Sequence, residues 1–150
     1  MNVGILGAGN IAGKMARTLN GMKDATAYAV AARDLERAQN FAKEYQMEKA
    51  YGSYEEMLAD DKVDLVYIAT PHSHHLEHGK LCISYRKPVL CEKSFTANAA
   101  QARELLDYAK ENGVFITEAI WTRYMPSRKI ITDIIESGEL GEMHMLSANL

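Results

Sequence analysis

The chain has 150 residues, 47% of them hydrophobic and 25% charged, a balance that suits a globular domain with a sizeable core. A net charge of −3 with both signs interspersed leaves no basic stripe and argues against a nucleic-acid partner. No apolar run approaches the roughly 20 residues of a membrane span, and the only cysteines, Cys82 and Cys91, form no disulfide framework and read as small core residues. Because strand-like sequence begins at Val3, no leader peptide is expected, and the expected location is cytoplasmic.

The apolar run Val3-Gly4-Ile5-Leu6 predicts a first strand, and Ile11, Met15, Ala16 and Leu19 follow it at helical spacing. Between them lies Gly7-Ala8-Gly9-Asn10-Ile11-Ala12, a G-x-G-x-x-G/A pattern in a strand–turn–helix context. Gly7 permits the sharp turn, Gly9 lets a pyrophosphate approach the backbone, and Ala12 lets the helix pack closely. The first N–H groups of the helix have no partner in the chain and face the anion, with the helix dipole adding to the attraction. Gly7, Ala8, Gly9, Asn10 and Ile11 are therefore candidate cofactor contacts. The alternative is a tight turn without a ligand.

Tyr28 to Ala32 reads as a second strand, and Asp34 as the cap of a helix with Leu35, Ala38, Ala42 and Tyr45 on its apolar side. Lys49-Ala50-Tyr51 is a short third strand. Ser53 to Glu56 is a capping box that opens a short helix with Met57 and Leu58 inward. Asp64 to Thr70 is nearly all apolar, as a central parallel strand should be, and Pro71 ends it. A helix with Leu76, Leu81, Cys82 and Ile83 follows, and Pro88 to Glu92 is the fifth strand. Thr96 is the expected cap of a helix with Ala99, Ala102, Leu105, Leu106 and Ala109 on one face, and Gly113 ends it. Val114 to Glu118 is the sixth strand, Pro126 to Ser137 an amphipathic helix, and Met143 to Leu150 the start of another strand.

Strands alternating with helices predict an α/β fold. The expectation is a Rossmann-type, doubly wound parallel sheet of order 3-2-1-4-5-6 over residues 1–120. Residues 121–150 would then be the first helix and strand of a truncated second α/β domain. On this reading the chain is the front part of a longer enzyme.

At the end of the second strand, NAD-preferring Rossmann domains carry an acidic residue for the ribose hydroxyls. Here the strand runs into Arg33, whose guanidinium suits a 2′-phosphate, so NADP is expected over NAD. Arg33 also reads as a solvated surface charge. Asp34 reads more simply as a helix cap, and Arg37 either assists or is merely exposed.

Two further motifs fall at the C-terminal ends of strands, the ligand edge of open α/β sheets. They are Ala69-Thr70-Pro71-His72-Ser73-His74-His75 and Leu90-Cys91-Glu92-Lys93-Ser94. Together with Gly7-Ala8-Gly9 and Arg33, they resemble the glucose–fructose oxidoreductase/inositol dehydrogenase (Gfo/Idh/MocA) family over the whole chain. Its members carry an A-T-P-N-x-x-H-like turn after the fourth strand and an E-K-P motif after the fifth. Glu118-Ala119-Ile120-Trp121-Thr122-Arg123-Tyr124 narrows the resemblance to the branch of dimeric dihydrodiol and D-xylose dehydrogenases. The resemblance implies an NADP-dependent oxidoreductase that moves hydride between nicotinamide and a hydroxyl/carbonyl pair of a polyol, sugar or dihydrodiol. It further implies a homo-oligomer formed through a C-terminal domain beyond Leu150.

By the same resemblance, Lys93 is the central catalytic candidate, hydrogen-bonding the reacting oxygen beside the nicotinamide, and His75 a second candidate that orients cofactor or substrate. Thr70, Pro71 and His72 would shape the turn along the cofactor's ribose and nicotinamide. Glu92 would bond backbone or ribose groups, and Trp121 and Arg123 would lie near the mouth of the site. A plain core tryptophan is the other reading of Trp121. Ser94 departs from the family's proline and removes a backbone restraint after the lysine.

His72, His74, His75 and His78 also invite a metal reading, since His74 and His78 would be i,i+4 neighbours on a helix. No H-E-x-x-H is present, neither cysteine falls at ligand spacing, and the resembled family uses no metal here. No metal site is expected. A nucleotide-binding module without catalysis is the competing function. A methyltransferase is the third, disfavoured because its acidic ribose ligand is not evident.

Overall fold

A computed structural model describes residues 1–148. The chain divides into two units, Met1–Ala119 and Ile120–Leu150. In the first, strands β1 (Asn2–Leu6), β2 (Thr26–Ala31), β3 (Lys49–Tyr51), β4 (Leu65–Ile68), β5 (Val89–Cys91) and β6 (Ile116–Glu118) form one sheet. Every pair is parallel and the order is β3-β2-β1-β4-β5-β6, as expected. The connecting helices are α1 (Asn10–Asn20), α2 (Leu35–Glu44), α3 (Tyr54–Leu58), α4 (His75–Ser84) and α5 (Ala99–Glu111).

The period of two along each strand divides the core into two layers. Val3 and Ile5 of β1, with Tyr67 of β4, pack with Ala12, Ala16 and Leu19 of α1 and Ala38, Phe41 and Ala42 of α2. Leu6, Ala29, Ala31, Val66 and Ile68 pack with Met57 and Leu58 of α3 and Cys82 of α4. Ile83, Leu105 and Ala109 join α4 to α5. Burial pushes the Cys91 thiol up to about 12 and raises that of Cys82 as well, as befits inert core residues.

Helix starts follow local chemistry. The Asp34 carboxylate accepts the Arg37 N–H at 3.0 Å, and the Ser53 hydroxyl accepts the Glu56 N–H at 3.2 Å. The cap of α5 is Asn98, not Thr96: Asn98 Oδ1 accepts the Gln101 N–H at 3.0 Å, while Thr96 Oγ1 donates to the Asn98 carbonyl. Gly113, at φ +65°, follows the end of α5 as expected.

In the first unit, four apolar residues assigned to helix cores are exposed instead: Ile11, Leu35, Ala99 and Leu106. Ile11 and Leu35 stand in first helical turns beside the C-terminal ends of strands, where the sheet no longer covers them. In the second unit, α6 (Pro126–Glu136) forms as predicted, with Ile130, Ile131, Ile134 and Ile135 all exposed. The strand expected from Met143 is absent through Ala148. A strand is defined by its ladder, and among the described residues this segment has no partner. The rest of that expectation, residues 149 and 150, lies outside the described residues.

Beside β3, Asp60 collects hydrogen bonds from the Tyr28 hydroxyl at 2.9 Å, the Tyr51 hydroxyl at 2.7 Å and the Lys62 N–H at 2.9 Å. Burial alone would raise its carboxyl, but the bonds from Tyr51, the Lys62 backbone and Tyr28 outweigh it and hold the group below its ordinary 3.8. A carboxyl lowered in the folded state stabilises above its unfolded value, and that stabilisation is lost as pH falls through the folded value. Urea unfolding between about pH 6 and about pH 3 should therefore lose stability more steeply for the native chain than for Asp60→Asn. Parallel curves would rule out this role for Asp60.

Candidate functional site

The C-terminal ends of β1, β2 and β4 open onto a groove of about 490 Å³. The order places β1 between β2 and β4, so chain connections leave in opposite directions from this point, where open α/β sheets bind ligands. Its walls are Gly7 to Ile11, Ala32 to Asp34, Arg37, Tyr54 and Ala69 to Pro71. The expected residues of the glycine turn, with Arg33, Thr70 and Pro71, are thus brought together.

Gly7 adopts φ +102°, and a Cβ there would stand 3.1 Å from Thr70 Cγ2 and 3.2 Å from the Ala69 carbonyl oxygen. Both conformation and space favour glycine. Gly9 differs: its φ of −108° suits any residue, and a Cβ would meet nothing within 4 Å. No protein atom requires glycine at position 9, and the space it leaves faces the start of α1. No side chain caps α1 and its first turn has no acidic residue, so its leading N–H groups remain available to an anion.

Arg37 has a defined role that its sequence context left open. Its Nε and Nη2 donate to the Ala8 carbonyl at 3.2 and 2.9 Å, tying α2 to the glycine turn. Arg33 is exposed on the groove wall, and Asp34 is engaged as the α2 cap. Tyr54, not foreseen in the groove, packs edge-on against His78 at 4.9 Å between ring centroids. Burial raises its hydroxyl, with Arg33 and Arg37 pulling the other way.

Past β4 the chain makes a short 3-10 turn, His72–His74, before α4. His78 lies against Thr70, with Nδ1 at 2.8 Å from the hydroxyl, and burial lowers its ring below the ordinary 6.5. His75 is fully buried; its Nε2 lies 2.9 Å from the Thr70 carbonyl and its Nδ1 2.9 Å from the Ser94 carbonyl. The exposed His72 ring meets His75 edge-on at 5.5 Å.

Lys93 follows β5 in a loop held from three elements. Tyr67 of β4 donates to Glu92 Oε1, and Glu92 Oε2 accepts the Lys93 N–H at 3.1 Å. His75 reaches the Ser94 carbonyl, and Glu118 at the end of β6 accepts the Phe95 N–H at 2.8 Å. Lys93 is exposed, and among the described residues its ammonium has no ion-pair partner. Burial, then the Glu92 carboxylate, raises the Tyr67 hydroxyl far above its usual range and keeps it a donor. In the sequence, Glu118 reads as the end of the sixth strand and the start of a motif, with no site role; its bond to the Lys93 loop depends on β6 pairing with β5. Trp121 and Arg123 form an exposed 3-10 turn in the second unit.

Residues 1–119 match the profile of the Gfo/Idh/MocA oxidoreductases, described as an oxidoreductase family with an NAD-binding Rossmann fold, and the chain belongs to that family. It is 41% identical over 147 residues to trans-1,2-dihydrobenzene-1,2-diol dehydrogenase of Mus musculus, covering 97% of this chain and 44% of that protein. It is 50% identical over 102 residues to D-xylose 1-dehydrogenase (NADP(+)) of Hypocrea jecorina, covering 68% of this chain and 26% of that one. Among solved structures, a 3-ketoreductase from Actinomadura kijaniata in complex with TDP-benzene and NADP superposes with a TM-score of 0.86 at 28% identity, over 95% of this chain and 45% of that one. The chain thus spans less than half the length of these relatives.

The Tyr67–Glu92 bond anchors the Lys93 loop to the central strand. Tyr67→Phe should lower unfolding free energy by about 1–3 kcal/mol, because it leaves a half-buried carboxylate short of a donor. Urea denaturation checks this, and an unchanged midpoint would remove the anchor from the account.

Proposed function

We propose that the chain is the cofactor-binding part of an NADP-dependent oxidoreductase acting on the hydroxyl/carbonyl pair of a sugar, polyol or cyclic diol. The observation that carries this reading is that four strand ends bring different chemistry to one sheet edge. These are the glycine turn after β1, Arg33 after β2, Thr70-Pro71 after β4 and Lys93 after β5. The open space at Gly9 fits a pyrophosphate on the α1 N-terminus. Arg33 would hold the 2′-phosphate, and Thr70, Pro71 and His72 would flank the ribose and nicotinamide. When bound, the nicotinamide supplies or accepts hydride.

Lys93 would donate a hydrogen bond to the substrate's carbonyl oxygen, or move a proton to and from the hydroxyl oxygen. His75 has both nitrogens against backbone carbonyls, so its part in this reading is to position the Lys93 loop rather than to touch substrate. Glu92 has the same part through Tyr67. Trp121 and Arg123 are proposed near the mouth of the site. Residues 121–150 are proposed as the opening of a substrate and oligomerisation domain, in keeping with the greater length of the relatives. A cytoplasmic location belongs to the same reading, supported by two free, buried cysteines.

Fluorescence titration of the chain with NADPH and NADH tests the proposal. NADPH should bind more tightly, and Arg33→Ala should weaken it about tenfold or more, from loss of a charge-assisted bond of ~1.5–3 kcal/mol. NADH binding should change by less than about twofold, since the 2′-phosphate contact is all that is lost. Binding of neither dinucleotide would overturn the reading.

A further inference from the structure

The histidines beyond the cofactor turn are not all used by the groove. His75 is spent on two backbone carbonyls, and His72 faces solvent. His74 and His78 remain, and the fold adds Glu77 between them. One ligand atom from each of His74, Glu77 and His78 lies within 4.8 Å of the others. We propose that His74, Glu77 and His78 form a zinc-binding site at the start of α4, with the fourth position open to water.

The donor set is that of a divalent zinc site: two imidazoles and one carboxylate. Donors around tetrahedral zinc, at about 2.0–2.2 Å from the ion, stand roughly 3.3 Å apart. The cluster must therefore close by about 1.5 Å at its widest, a movement of side chains only. His74 and Glu77 can supply it, because their side chains are 45% and 78% exposed, and their Nδ1 and Oε2 already lie 3.8 Å apart. The two imidazoles are nearly parallel, 22° between planes and 5.4 Å between centroids.

His78 brings the second observation. Its Nδ1 is engaged by the Thr70 hydroxyl at 2.8 Å, which fixes the ring and leaves Nε2 to a metal. A ligating histidine whose other nitrogen is held by a neighbouring polar group is the usual support of a metal site. Two features oppose a cation here: the N-terminal end of the α4 dipole and the Arg33 guanidinium, which lines a small cavity with His74 and His78. The Glu77 carboxylate offsets both. In the sequence alone, His74 pairs with His78 and Glu77 is left out: the i,i+3,i+4 triad is H-x-x-E-H, not the H-E-x-x-H sought there.

An ion at this point would link the 3-10 turn to the first turn of α4. Through His78 and Thr70 it would stiffen one wall of the groove. Its existence does not depend on the proposed activity.

Calorimetric titration of zinc chloride into the full 150-residue chain tests the site, with cobalt(II) as a visible-absorption probe of tetrahedral coordination. We expect one ion per chain, a melting temperature that rises with zinc, and weakening of at least about tenfold in His74→Ala and in Glu77→Gln. Circular dichroism should show both variants folded, since neither side chain is buried. His72→Ala, outside the cluster, should bind as the native chain does. Absence of saturable binding, equal binding by His74→Ala and Glu77→Gln, or equal loss in His72→Ala would each overturn the proposal.

Discussion

The rest of the site depends on how closely the first turn passes the end of the fourth strand. A Cβ on Gly7 would press on Thr70 Cγ2 at 3.1 Å and on the Ala69 carbonyl oxygen at 3.2 Å, and the φ of +102° disfavours most side chains in any case. The Gly7 N–H is bonded to the Ala31 carbonyl and the Ala69 N–H to the Leu6 carbonyl, each at 2.9 Å, so β1 is locked to both neighbours where it ends. This junction aims α1 back across the sheet and leaves its first N–H groups facing the groove. Arg37 then fixes the turn from the second helix, and His78 fixes Thr70 from the fourth.

A second level of organisation holds the Lys93 loop. No regular element contains Lys93; its loop is held by His75 of α4 at Ser94 and by Glu118 of β6 at Phe95, while Tyr67 of β4 holds the Glu92 carboxylate that accepts the Lys93 N–H. Each of these is a polar group at the C-terminal end of the sheet or in the helix that follows it. Tyr67 spans both tasks: its ring fills the core layer beneath α1 and α2, and its hydroxyl reaches the Glu92 carboxylate. Hydrophobic packing and placement of the candidate catalytic group are therefore carried by one residue, which couples the loop to the core behind it.

Much of this was legible in the sequence because it is local. The glycine turn, the Asp34 and Ser53 caps, the run of Asp64 to Thr70 and the position of Lys93 after a strand are set by neighbours within a few residues. The strand order came with the Rossmann reading of the glycine turn, since alternation of strands and helices alone also allows other doubly wound orders. Residues that cooperate across the sheet were not legible. Arg37 finds Ala8, and Glu118 finds Phe95, only once β2 flanks β1 and β6 flanks β5. The misplaced cap of α5 had a readable signal, since Asn98 precedes Gln101 by three residues, a capping-box spacing that Thr96 lacks. The strand expected after Met143 had a good local pattern but, among the described residues, no partner, and pattern alone cannot supply a ladder.

The two glycines of the turn separate fold from function. Position 7 is glycine because the protein has no room; position 9 is glycine although the protein has room to spare. If that space exists for a pyrophosphate, a side chain there should harm binding far more than folding. The most direct measurement is NADPH titration of Gly9→Val alongside its thermal unfolding. The melting temperature should stay within about 4 °C of the native chain, the cost of about 1 kcal/mol expected for replacing a glycine N-cap by valine, with NADPH binding lost. Retained binding, or a protein that unfolds before it can be tested while Gly9→Ala does the same, would contradict it.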